Sequence, residues 1–110
     1  MDRRELLELA AKACGIDTEW SEWRTGHVGK FGEIKYVKHE GFNGWDPLTS
    51  DSDALRLAVK LDMYVILGVK ENTVSTCATG GVVIEELLGD DPYAATRLAI
   101  VKAAAELGKE

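Results

Sequence analysis

The sequence predicts an α+β domain: a three-layer α/β/α sandwich with a mostly antiparallel sheet, in the order α-β-β-α-β-β-β-α. Three observations lead there. Three segments carry apolar residues at helical spacing behind capping residues. Met63-Tyr64-Val65-Ile66-Leu67-Gly68-Val69 is apolar almost throughout, the pattern of a strand covered on both faces. The links in the second half are tight turns, and tight turns join antiparallel neighbours.

The first helix is expected from about Arg3 to Cys14. Asp2 caps it, Glu5 completes a capping box, and Leu6, Leu9, Ala10 and Ala13 follow at helical spacing before Gly15. From Trp20 to Lys38 the period changes, and Glu33-Ile34-Lys35-Tyr36-Val37-Lys38 alternates. Two antiparallel strands joined by a turn bearing Gly26, Gly29 and Gly32 fit this segment. His39 to Ser50, with Gly41, Asn43, Gly44 and Pro47, reads as a loop.

A second helix is expected to start at Asp51 or Ser52. Leu55, Ala58 and Val59 lie on its core side, with Arg56 and Lys60 on another. The apolar strand from Met63 follows, then a turn at Glu71-Asn72 and a weaker strand from Thr73 to Thr79. Gly80-Gly81 turns the chain into a last strand, Val82 to Leu87. Asp91 as cap and Pro92 as first residue open the final helix. Leu98, Val101 and Ala105 form its stripe, its other alanines permit close approach to a sheet, and Gly108 ends it.

All 110 residues read as one domain, long enough to bury roughly 65% of its unfolded surface. A composition of 45% hydrophobic and 29% charged residues is that of a globular chain. No apolar run approaches the ~20 residues that cross a bilayer, and Met1-Asp2-Arg3-Arg4-Glu5 does not open a signal peptide. A soluble, cytoplasmic protein with no membrane partner is therefore expected. The net charge of −6, from 19 acidic and 13 basic residues, argues against nucleic acid as a ligand. It favours solubility or a basic protein partner. Cys14 and Cys77 are far apart, without CxxC or histidine companions, and read as small apolar residues.

The polar corner Trp45 to Asp53 is the first place to look for a site. Asp46, Asp51 and Asp53 resemble hard-cation ligands, but a calcium loop also needs a glycine turn and a later bidentate glutamate. Capping and turn formation account for the three acids more simply. Trp45, with Trp20, Trp23 and Phe42, forms an aromatic group outside the helices that either covers the core or offers a binding rim. Tyr36 and Tyr93 are additional candidates for that rim. Asp90 and Asp91 with Arg97 one turn later read as a local pair at a helix start.

Gly26-His27-Val28-Gly29-Lys30-Phe31-Gly32 lacks the strand-to-helix setting and the Lys-Ser/Thr ending of a phosphate loop, so a hairpin turn is preferred. His27 and His39 have no ligand-spaced companions, and adjacent His39 and Glu40 point apart on extended chain. Ser75, Thr76 and Cys77 lack the glycines of a nucleophile elbow. No catalytic residue, metal ligand or cofactor is assigned. The binding candidates are Trp20, Trp23, Trp45, Asp46, Arg56, Tyr93 and Arg97.

Two segments, Gly44-Trp45-Asp46-Pro47-Leu48-Thr49-Ser50-Asp51-Ser52-Asp53-Ala54-Leu55-Arg56-Leu57-Ala58-Val59-Lys60-Leu61 and Asp91-Pro92-Tyr93-Ala94-Ala95-Thr96-Arg97-Leu98-Ala99-Ile100-Val101-Lys102-Ala103-Ala104-Ala105-Glu106, resemble the phage ABA sandwich domain family. Arg4 to Ala13 and Gly15-Ile16 resemble its usual start. The family commonly carries Asn in place of Asp46, and an acidic-Asp-Gly-Asp run where this chain has Ser50-Asp51-Ser52-Asp53. The resemblance implies α/β/α layering and a bacteriophage or prophage origin, and it brings no established activity.

The expected function is that of a small non-catalytic phage accessory protein, binding a host protein or defence component inside the infected bacterium. Sequestration of a nucleotide or other small molecule by exposed indoles is the alternative. A divalent-metal enzyme built on Asp46, Asp51 and Asp53 is the third reading. Sheet edges and an exposed helix face leave homo-oligomerisation open.

Overall fold

The computed structural model describes residues 2–15, 18–22, 32–37 and 42–109, with 18–22, 32–37 and 42–44 described by backbone alone. The glycine-bearing turn with His27, the His39-Glu40 pair and Trp23 lie outside the described residues.

The fold is α+β. The elements are α1 (Arg3–Ala13), β1 (Thr18–Glu22), β2 (Gly32–Val37), β3 (Phe42–Trp45), α2 (Asp51–Lys60), β4 (Tyr64–Gly68), β5 (Thr73–Ala78), β6 (Val82–Leu87) and α3 (Pro92–Gly108). The strands form two three-stranded sheets, β1-β2-β3 and β4-β5-β6, antiparallel at every pairing. The expected order is therefore corrected by one strand. Phe42-Asn43-Gly44-Trp45 has loop composition, yet it pairs with β2 by setting Trp45 opposite Ile34 and Asn43 opposite Tyr36. Local composition does not disclose a partner supplied by the neighbouring strand.

The helix starts follow their capping chemistry. Asp2 accepts the Glu5 amide at 2.8 Å, and Asp91 accepts the Ala94 amide at 3.1 Å ahead of Pro92. Helix α2 starts at Asp51 as expected, but its cap is Ser50, which accepts the Asp53 amide at 3.2 Å, and not Asp51 or Ser52. The same helix ends in a Schellman motif. The Met63 amide donates to the Ala58 carbonyl at 3.0 Å and the Asp62 amide to Val59 at 3.2 Å. Asp62 holds the left-handed position at φ 54, a place aspartate tolerates better than most residues.

Helix α3 is the hub, buried on two opposite faces. Ile100, Val101, Ala104 and Ala105 join Leu6, Leu7, Ala10, Ala11, Trp45, Ala54, Leu57 and Ala58 in a core among the helices. On the other face, Ala95 and Ala99 meet Val74, Ile84 and Leu88 in a second cluster against the sheet. Small residues on both sides let the helix and the sheet approach closely. Thr76, fully buried on the central strand β5, donates from its hydroxyl to the Ala99 carbonyl at 2.9 Å. Lys102 reaches Glu86 of β6 at 2.8 Å.

Two burial expectations are overturned. The strand β4 is not covered on both faces: Tyr64 is 74% exposed, Ile66 57% and Leu67 54%. It lies at the edge of its sheet, beyond the reach of α3, which packs on β5 and β6. In α2 the buried residues are Ala54, Leu57 and Ala58, while Leu55 and Val59 face outward. Gly108 ends α3, as its position in the sequence predicts, and is buried in that last turn. A Cβ there would stand 2.0 Å from the Leu9 carbonyl oxygen, so the α1–α3 crossing requires glycine.

Cys14, buried at the end of α1, donates from its thiol to the Ala10 carbonyl at 3.3 Å. Burial pushes this thiol up to about 11. Cys77 is half-buried on β5, and both thiols are free.

Three outcomes follow from this packing. Gly108→Ala is expected to destabilise by about 1–3 kcal/mol, the usual cost of overpacking, measured by urea denaturation. Because the folded Cys14 thiol holds its proton more tightly than the unfolded one, its contribution is intact below pH 9.0. It is lost as pH rises to about 11. A thiol reagent at neutral pH is expected to label Cys77 first, and Cys14 only upon unfolding.

Candidate functional site

The acidic corner is a structural knot. The backbone carbonyl of Asp46 accepts the Ser50 amide at 2.9 Å and the Thr49 amide at 3.2 Å, which closes the turn around buried Pro47. The Asp46 carboxylate accepts the Leu48 amide at 3.0 Å, as an aspartate does when it opens a turn. Its other oxygen is ion-paired with Arg3 of α1. The Asp46 amide donates to Asp53 at 2.9 Å, so Asp53 reaches back from the first turn of α2 to hold the corner. Asp51 takes the Arg97 guanidinium at 2.6 Å, and Arg97 Nε donates to the Leu48 carbonyl at 2.9 Å.

Each of the three acids is thus spent on an amide or an arginine, and they do not converge on a common centre. Among the described residues no group of three or more His, Cys, Asp or Glu side chains could hold a metal ion. Arg97 does not pair with Asp90 or Asp91 as its spacing suggested. It crosses from α3 to the start of α2, so one side chain from the last helix secures the corner that seats the second.

Trp45 is 6% exposed and packs within the helical core. Its indole is core cover, and the binding-rim reading is corrected at this position. Asp46 is equally buried and faces the protein interior. Arg56 is exposed on α2. The side chain of Trp20 is not among those described.

The structure does bring Tyr93 and Arg97 together, on the wall of an apolar groove of about 340 Å³. Ala54 and Leu55 of α2 form one side, Val65 and Leu67 of β4 the floor, and Tyr93, Thr96, Arg97 and Ile100 of α3 the other side, with Asp51 at the rim. The groove exists because α3 covers β5 and β6 but stops short of β4, while α2 packs on α3. Tyr93 is 70% exposed and Leu55 64%, so the mouth is apolar as well as the floor. The opposite face of the sheet is also uncovered. The register places Tyr64, Ile66, Cys77, Val83 and Leu87 together there, with Ser75 donating to Glu85 at 3.3 Å.

Sequence reasoning assigned Leu55 to the core side of α2, and Val65 and Leu67 to a covered strand, so it missed them as groove residues. The available signal was numerical: one short strand and one short helix carry more apolar side chains than α3 can cover. No family model, curated protein or solved structure matches this chain, so the phage-family resemblance rests on its motif residues alone.

Asp46→Ala is expected to cost about 2 kcal/mol, and Asp46→Asn about half that, because asparagine still accepts the Leu48 amide. Denaturant midpoints for the two variants check this ordering.

Proposed function

We propose that this chain is a small non-catalytic phage accessory protein that acts by binding a host protein inside the infected bacterium. The observation that carries the binding role is the groove between α2, α3 and β4, apolar in lining and open to solvent. Single exposed leucines are ordinary. A connected set with Leu55 and Tyr93 at the mouth of a groove and Leu67 on its floor is the usual mark of a partner site.

The groove accepts apolar side chains presented from an amphipathic helix or strand. The net charge of −6 favours a partner with basic residues flanking those apolar anchors, since complementary charge steers association. The phage setting is supported by the motifs around Trp45 and Asp91. The three-layer α/β/α order belongs to the same proposal. The open face of the β4-β5-β6 sheet, apolar at Tyr64, Ile66, Val83 and Leu87, is where a further helical layer would sit. No helix among the described residues is long and apolar enough to cross a membrane.

The test is affinity capture from a bacterial host lysate with the wild-type chain, Leu67→Glu and Arg56→Ala in parallel. A specific protein is expected with the wild type and with Arg56→Ala, and at least tenfold less of it with Leu67→Glu. A charge buried on the groove floor costs far more than the loss of an exposed arginine. Equal recovery by all three proteins would refute the groove as the binding site, and no specific recovery by any of them would refute the binding role.

A further inference from the structure

We propose that two copies of this chain associate through β4, pairing antiparallel about a two-fold axis at Ile66 to make one continuous sheet. The proposal is independent of what fills the groove. Among the described residues β4 pairs with β5 alone, which leaves its other backbone edge unpaired. Exposed edges in natural sheets are usually guarded by a charge, a proline or a bulge. Residues 63–69 carry none of the three.

The other edge of the same sheet provides the contrast. Strand β6 holds Glu85 on the open face and Glu86 on the face toward α3. Self-pairing of β6 would bring carboxylates from two copies together on a chain that is already acidic. The β4 edge is left as the one suited to a second copy.

Charge and shape select the register. In a continuous sheet, a two-fold through Ile66 sets Ile66 opposite its own mate, Val65 opposite Leu67, and Tyr64 opposite Gly68. Each pair keeps to one face of the sheet, as cross-strand neighbours must. Beyond the strand ends, Asp62 in the turn before β4 of one copy and Lys70 in the turn after β4 of the other come to the same end of the paired strands, where their side chains can pair, and the symmetry repeats this at the other end. Moving the axis to Val65 or Leu67 places Asp62 opposite Gly68 or Asn72 and loses both ion pairs. The self-pairing with opposite charges at both ends is therefore the one centred on Ile66. It also aligns the Val65 and Leu67 floors of the two grooves side by side.

Sedimentation velocity on the purified chain over a wide concentration range tests the proposal, with circular dichroism to confirm folding. The wild type is expected to be dimeric. Ile66→Lys alters a side chain already 57% exposed and sets two like charges at the axis, so it is expected to be a folded monomer. Lys70→Asp is expected to weaken the dimer roughly tenfold, and the exchange Asp62→Lys with Lys70→Asp to restore it, since cross-strand charge pairs contribute modestly but here occur twice. A wild type that stays monomeric throughout overturns the proposal, as does a dimer that Ile66→Lys leaves intact. A dimer lost in Ile66→Lys but indifferent to both charge variants overturns the register. Should Ile66→Lys fail to fold, the charge exchange alone decides the outcome.

Discussion

The structure depends on a helix narrow enough to be buried on two sides. In α3, alanines stand where most helices carry one apolar stripe and a polar back, and this lets helices pack on one face and a sheet on the other. The consequence is mutual dependence: neither the helical cluster around Leu7 and Val101 nor the sheet cluster around Val74 and Ala99 closes without the same turns of α3. The Thr76 hydroxyl on the Ala99 carbonyl fixes the depth of the sheet against the helix. The absent side chain at Gly108 fixes the depth of α1 on the other side. Close approach is set at both contacts by what the sequence leaves out.

The acidic corner and the groove are two outcomes of one placement. Arg97 and Arg3 draw the turn before α2 onto α3 and α1, and this positions α2 beside α3 instead of over β4. The strand is left with an uncovered inner face, and the gap becomes the groove. Carboxylates that resemble a reactive cluster in the sequence are consumed in holding backbone. The apolar residues that look like core are the ones that reach solvent. Chemistry and packing have exchanged their expected locations.

Most of the elements were legible because their signals are local. Asp2 with Glu5, and Asp91 with Pro92, mark helix starts through bonds made within one turn. Asn72, at φ 59, marks a hairpin by its own tolerance of left-handed backbone. What escaped was set by distant partners. The strand Phe42–Trp45 exists because β2 lies beside it, and Ser50 displaces Asp51 as cap because the Asp46 carbonyl captures its amide. The run from Met63 to Val69 was the most deceptive, since a strand buried in its own fold and an edge strand awaiting a partner have the same composition. Tyr93 and Arg97 are both candidates in the sequence, and both line the groove. Leu55, Val65 and Leu67 are not candidates there, because an apolar side chain gives no sign in sequence of whether anything covers it.

The pairing of α1 with α3 has a consequence for biosynthesis. The two helices lie at opposite ends of the described chain, so the apolar face of α1, with Leu6, Leu7, Ala10 and Ala11, leaves the ribosome long before its partner. At ordinary translation speeds the interval is roughly 5–15 seconds. The hairpins of β4, β5 and β6 can form meanwhile from neighbouring residues, but the nascent helix must be shielded until α3 emerges. The chain thus passes through an interval in which its first apolar helix face stands open to any chaperone that binds exposed apolar segments.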